Sequence, residues 1–174
     1  MALLQQVRVD LVADVRSFPR SRANPHYDIG ALPLSLAKVG IGYRHLPALG
    51  GRRQHAAGAP SRNLLWREAA FRNYADYAES EAFRSGLDEL LRLSQGRRVA
   101  IMCAEAVWWR CHRRIVADYL LASGARVDHV LGPSHVTPAS LTPGAVVQAD
   151  GRVEYPRPEG QVEEHLDQAR VRCN

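Results

Sequence analysis

The sequence predicts an α/β fold. It reads as a single domain on a mainly parallel sheet with flanking helices, Rossmann-like in its layers, carrying a C-terminal hairpin and tail. Three observations predict it. Short apolar runs alternate with segments of helical periodicity. Two of those runs, Asp10-Leu11-Val12-Ala13-Asp14-Val15 and Val99-Ala100-Ile101-Met102, have strand length and end directly in reactive side chains. The stretch from Val99 to Leu121, VAIMCAEAVWWRCHRRIVADYLL, reads as strand, loop and helix in one unit.

Taken in order, Leu3-Leu4 and Val7 close a short helix, and Asp10 to Val15 is a buried strand. Ser17 to Tyr27 is loop, with two prolines among Ser, Asn and Arg. Asp28 caps a helix bearing Ile29, Leu32, Leu36 and Val39, in which Pro33 is tolerable only in the first turns. Gly40 ends it, and Ile41 to Leu46 is a second strand. Leu49-Gly50-Gly51-Arg52-Arg53 opens a polar loop reaching about Asn63. Trp66, Phe71, Tyr74, Ala75 and Ala78 line one helical face. Ser80 caps a further helix with Phe83, Leu87, Leu90 and Leu91 at core spacing, stopped by Gly96. After the central unit, Arg126 to Leu131 reads as another strand, and strand–helix–strand of this length makes a right-handed parallel unit. The core domain is assigned to residues 1–132. Residues 133–174 form a proline-rich connection, a hairpin about Asp150-Gly151 and a polar segment from Gln161 to about Arg170, all appended to that core.

The bulk composition narrows the class. A chain of 174 residues buries a real core. No apolar run approaches the roughly 20 residues that span a bilayer. The N-terminus lacks a signal peptide's apolar region, so a cytoplasmic protein without a membrane partner is expected. The net charge is +5, and Lys38 is the single lysine. Genomic composition explains such an arginine excess blandly. The sharper reading is that the planar guanidinium binds phosphate or carboxylate. Nucleic acid is a second partner consistent with the charge, although no zinc-finger spacing or aromatic RNA-binding signature is present. Three cysteines make no disulfide framework, and Cys173, next to the C-terminus, is read as incidental.

In parallel sheets ligands sit beyond the carboxyl ends of the strands. Asp14-Val15-Arg16 and Cys103-Ala104-Glu105 end two predicted strands, and if these are neighbours both clusters face one crevice. Cys103 is either a buried small hydrophobe or a thiolate stabilised by a helix N-terminus and arginines. Glu105 is a base, a ligand or an arginine partner. Cys111 and His112 cannot easily share a metal if both are helical, because helical neighbours point about 100° apart. The set Cys103, Glu105, Cys111 and His112 lacks the paired spacing of a structural zinc site, which leaves a catalytic transition metal, iron or zinc, or a reversible Cys103–Cys111 disulfide. A phosphatase loop needs five residues between cysteine and arginine, and six separate Cys103 from Arg110. Arg16 and Arg113 are candidates to hold an anionic group, with Asp14 as substrate contact or as the internal partner of Arg16. Arg20 and Arg22 read as solvated. His26 and His45 read as surface or core polar groups. Trp108 and Trp109 read as packing, or as a stacking wall beside the site.

These motifs together carry a resemblance. Asp14 to Arg22, Gly40 to Pro47 with Leu49-Gly50-Gly51, Trp66 to Tyr77, and Cys103-Ala104-Glu105 with Cys111-His112-Arg113 resemble the bacterial and archaeal domain-of-unknown-function family 488, over roughly Leu3 to Leu131. The resemblance implies that Asp14, Arg16, Cys103, Glu105, Cys111, His112 and Arg113 are signature positions; it implies no activity. Family members usually begin with a short strand carrying a Thr-Ile-Gly-His-Ser-like segment, which this sequence lacks, and commonly have proline where Trp108 stands. A sheet without that strand has an edge or gap that a second copy of the chain could fill.

The leading expectation is a small α/β enzyme with a cysteine-centred site acting on an anionic small molecule or nucleotide. Cys103, Glu105 and His112 are its catalytic candidates, and Asp14, Arg16, Arg113 and Trp109 its substrate contacts. A non-catalytic nucleic-acid- or nucleotide-binding module using arginine-rich loops is the alternative, and a scaffold with merely buried cysteines the third.

Overall fold

The computed structural model describes residues 1–54 and 60–158. At its centre lies β1 (Leu11–Asp14), buried at every position. It pairs in parallel with β2 (Gly42–His45) on one side and β3 (Val99–Met102) on the other, in the order β2-β1-β3. The register sets Asp14 opposite both His45 and Met102. The three strands therefore end level, and the chain leaves β1 and β3 side by side.

Strand alternation divides the core between two faces. Val12 points to α1 (Ala2–Gln6) and α2 (Leu32–Ala37), among Val9, Leu32, Leu36 and Ile41. Ala13 and Val15 point to the larger cluster formed by α3 (Ala69–Ala78), α4 (Glu81–Leu93) and α5 (Arg113–Ala122), with Tyr74, Phe83, Ile115 and Val116 at its centre. Ser80 caps α4 as its sequence predicts, accepting the Phe83 N–H at 3.2 Å. Gly96 and Gly124 end α4 and α5 with φ of 69° and 78°, a conformation that costs other residues a steric penalty. Helix α2 starts later than expected. Asp28 makes a local turn with the Gly30 N–H instead of capping it, and Ile29 is exposed.

Two expectations need correction. The segment after α5 does not join the parallel sheet. β4 (Asp128–Gly132) pairs antiparallel with β5 (His135–Pro138), and among the described residues the parallel sheet has three strands. A turn through Pro133 and Ser134 offers β4 a partner a few residues away, at a far smaller closure cost than a place in the sheet. The pattern also disfavours a central position, since Asp128, Val130 and Leu131 are exposed. The second correction concerns the last hairpin. β6 (Val146–Val147) and β7 (Val153–Glu154) do flank Asp150-Gly151 as expected. Yet Val153 and Tyr155 are fully buried in the main core, so this hairpin is more than an appendage. Tyr155 donates its N–H to the Asn63 side chain at 3.0 Å and its hydroxyl to Asp118 at 2.8 Å. The polar segment from Gln161 and Cys173 lie outside the described residues. No helix among the described residues is long and apolar enough to cross a membrane.

Candidate functional site

Just beyond β1, Asp14 and Arg16 form a buried pair. The Asp14 carboxylate, wholly buried, accepts the Arg16 backbone N–H at 3.0 Å and is gripped by its guanidinium at 2.6–3.0 Å. The Tyr43 hydroxyl donates to the same carboxylate at 2.6 Å. The hydrogen bond to Asp14 raises the Arg16 pKa against the opposing effect of burial. Burial and the Asp14 carboxylate push the Tyr43 phenol up, so it remains a donor. His45 Nε2 lies 2.9 Å from the Arg16 carbonyl oxygen. Asp14 is thus consumed as the partner that orients Arg16 and is not among the residues lining the cavity described below.

Beyond β3 stands Cys103, half-buried, facing the start of α5. Cys111 is extended, with φ −136° and ψ 149°, and His112 is the residue before the first helical turn. The objection that helical neighbours diverge therefore does not apply, because Cys111 is not helical. His112 Nδ1 lies 3.5 Å from Cys111 Sγ and 4.0 Å from Cys103 Sγ, and the three atoms all fall within 4.8 Å of one another. Arg113 donates Nε to Cys111 Sγ at 3.4 Å and a terminal nitrogen to the Glu105 carbonyl. The thiol pKa values are driven apart. Hydrogen bonds from Cys103 and His112 lower that of Cys111 against its burial, while the Cys111 sulfur and burial raise that of Cys103.

These groups open on a cavity of about 320 Å³. Arg16, Arg52, Arg110 and Glu105 line it with Cys103, Cys111 and His112, and Phe18 and Phe71 form apolar walls. The expected crevice between the two strand ends therefore exists. Glu105 lines it, but its carboxylate is exposed and stands outside the ligand-atom group, so it does not complete the expected four-residue set. Arg113 steadies Cys111 and the Glu105 loop and is not a lining residue. Trp109 lines a second cavity, and Trp108 stacks on His129 with centroids 3.7 Å apart.

Sequence reasoning missed Gly51 and Arg52 as site residues. A Cβ on Gly51 would stand 2.3 Å from His112 Nδ1, and one on Gly50 would stand 2.7 Å from Ser17 Oγ. The glycine pair lets this loop lie directly against the imidazole and the β1 loop, where the Arg52 N–H donates to Ser17 Oγ at 2.9 Å. Two adjacent glycines followed by arginine were the available signal.

The thiol pair makes a pH prediction. In metal-free protein, far-ultraviolet absorbance should retain one thiolate as pH falls from about 9 to about 5, where an ordinary thiol of pKa about 8.5 is fully protonated. The Cys111→Ala variant should lose that signal. Because the folded-state pKa of Cys111 is depressed, its contribution to stability is fully present above the unfolded value and is lost as pH falls through the folded one. Ordinary titration of both Cys103 and Cys111 would count against a thiolate held beside His112 and Arg113.

No curated protein and no solved structure matches this chain. Residues 1–120 match the family model described as Domain of unknown function DUF488. That span holds all three strands of the parallel sheet, most of α5 and every residue lining the cavity between them. With the Asp-x-Arg strand end and the Cys-x-Glu and Cys-His-Arg segments inside the matched region, the chain belongs to the DUF488 family.

Proposed function

We propose that this protein is an enzyme in which Cys103, Cys111 and His112 hold a divalent transition metal, zinc or iron, and Arg16 and Arg52 hold an anionic small substrate. The geometry of the three ligand atoms carries this reading. In a tetrahedral site with ordinary metal–ligand bonds, sulfur and nitrogen ligands stand about 3.6 Å apart. The two sulfur–nitrogen distances here are 3.5 and 4.0 Å. Three protein ligands leave a fourth position open, the pattern of catalytic rather than structural zinc. When bound, such an ion supplies a Lewis acid and an ionised water near neutral pH.

The protein's own residues do the rest. Arg16, its charge paired with Asp14, and Arg52, its guanidinium over the Phe18 ring, both line the cavity and bind the substrate anion. The exposed Glu105 carboxylate, on the same wall, accepts a proton from an attacking water and returns it to the leaving group. Arg113 holds the Cys111 sulfur in place through its Nε hydrogen bond. The reaction class supported is metal-assisted hydrolysis. The two sulfurs beside the His112 ring support a second reading, in which a metal-free thiolate of this pair is the nucleophile, with Cys103 the more accessible of the two.

Plasma mass spectrometry on purified protein beside its Cys103→Ser variant tests this. About one equivalent of zinc or iron should be present and should fall below about a tenth in the variant, with circular dichroism unchanged. Absence of metal from the native protein, together with no uptake when zinc or ferrous iron is added, would move the assignment to the thiolate reading.

A further inference from the structure

A second cavity, of about 230 Å³, lies beside the first and shares Phe71 with it. Its other walls include Trp66, Trp109, Arg67, Glu68 and Arg114. The two tryptophans of the loop before α5 are used differently. Trp108 spends its face on His129, interplanar angle 8°. Trp109 touches Trp108 only edge-on and is 47% exposed, a large aromatic surface held at the rim of a cavity. On the far side Trp66 stacks on Phe71 at 4.9 Å and carries the Arg114 guanidinium over its ring, also at 4.9 Å. Arg114 is itself anchored through Nε to Thr142 at 3.0 Å. These rings and guanidinium planes are preset by packing, and they adjoin a cavity whose remaining lining is arginine-rich.

We infer that the two cavities form one substrate site for a nucleoside monophosphate, with the phosphate on Arg16 and Arg52 and the base on Trp109 beside Phe71 and Arg114. This rests on the anion-binding half of the proposed function and adds the substrate class. Aromatic side chains accept any base on their π-faces, and guanidinium planes beside them add to the stacking. Glu68 and Arg67 stand at the edge of the second cavity, where the polar rim of a base needs an acceptor and donors. A phosphate or simple carboxylate occupies only part of the first cavity, of about 320 Å³, and does not reach the second.

Calorimetric titration of the 174-residue protein with inorganic phosphate, ribose 5-phosphate and adenosine 5′-monophosphate separates the parts. Adenosine monophosphate should bind about 10- to 100-fold more tightly than ribose 5-phosphate, the range stacking supplies. In the Trp109→Ala variant that ratio should collapse towards one, while ribose 5-phosphate binding stays unchanged. Arg52→Ala should weaken all three probes alike. Equal binding of the nucleotide and the sugar phosphate, or an unchanged ratio in Trp109→Ala, overturns the base site and leaves the anion site standing. Failure of all three probes to bind overturns both.

Discussion

Replacing Asp14 with alanine is expected to destabilise the fold by about 3–5 kcal/mol, because it strands the Arg16 cation in a nearly dry environment. Arg16 is only 6% exposed, and the Asp14 carboxylate accepts three hydrogen bonds from its guanidinium and one from its backbone N–H. In a domain of this size each kcal/mol moves the melting temperature by about 2–4 °C, so thermal and urea denaturation will both resolve the loss. The double variant Asp14→Ala with Arg16→Met should recover much of the stability, since no charge then remains buried and unpaired. It should recover none of the binding of phosphate, because the guanidinium is gone. An Asp14→Ala loss below about 1 kcal/mol would mean that Arg16 readily leaves its pocket for solvent, and the rigid anion clamp described above would not exist.

Gly51→Ala should weaken binding at the proposed metal site by about 10- to 100-fold, with the overpacking costing the fold about 1–3 kcal/mol. The added methyl would stand 2.3 Å from Nδ1 and 2.8 Å from Cε1 of His112, well inside van der Waals contact. The imidazole has little room to retreat, because Tyr74 packs on its other side with ring centroids 4.8 Å apart. Tyr74 is fully buried and donates its hydroxyl to the Leu49 carbonyl at 2.8 Å. The ring must therefore swing away from the two sulfurs, which separates the ligand atoms without opening the core. Competition for zinc against a chromophoric chelator measures the affinity directly. Undiminished affinity in Gly51→Ala would place His112 outside the metal site.

Much of this arrangement was legible in the sequence, for definite reasons. β1 and β3 announced themselves as short apolar runs ending in Asp14-Val15-Arg16 and Cys103-Ala104-Glu105. The level ends of neighbouring parallel strands then bring those tripeptides together. Ser80 and Gly96 marked the ends of α4 through local rules that tertiary contacts did not override. β4 was misassigned because a strand's partner is a long-range property, whereas the turn at Pro133 and Ser134 decided it locally. The union of Cys111 with His112 was obscured because the sequence does not say where α5 begins; Cys111, two residues before Arg113, is extended and aims its sulfur where a helical one would not. The Gly50-Gly51 pair signals a close approach, but not that it lies against His112, because the contribution of Gly51 is the space that it leaves there.

The burial of Val153 and Tyr155 has a consequence for how the protein comes into being. The Tyr155 amide closes on Asn63, a partner 92 positions earlier, and its hydroxyl reaches Asp118 on α5, the helix whose start carries the sulfur–imidazole cluster. The segment that the family model covers stops at residue 120, short of this clasp. During synthesis the ribosome must therefore release more than thirty residues beyond the family region before Trp66 and α5 gain their last apolar neighbour. The cavity residues are all translated by then, but the wall behind them is incomplete. A chain cut before Tyr155 would hold every residue of the cysteine cavity, yet leave Trp66 without its Tyr155 ring contact and Asp118 without the Tyr155 hydroxyl.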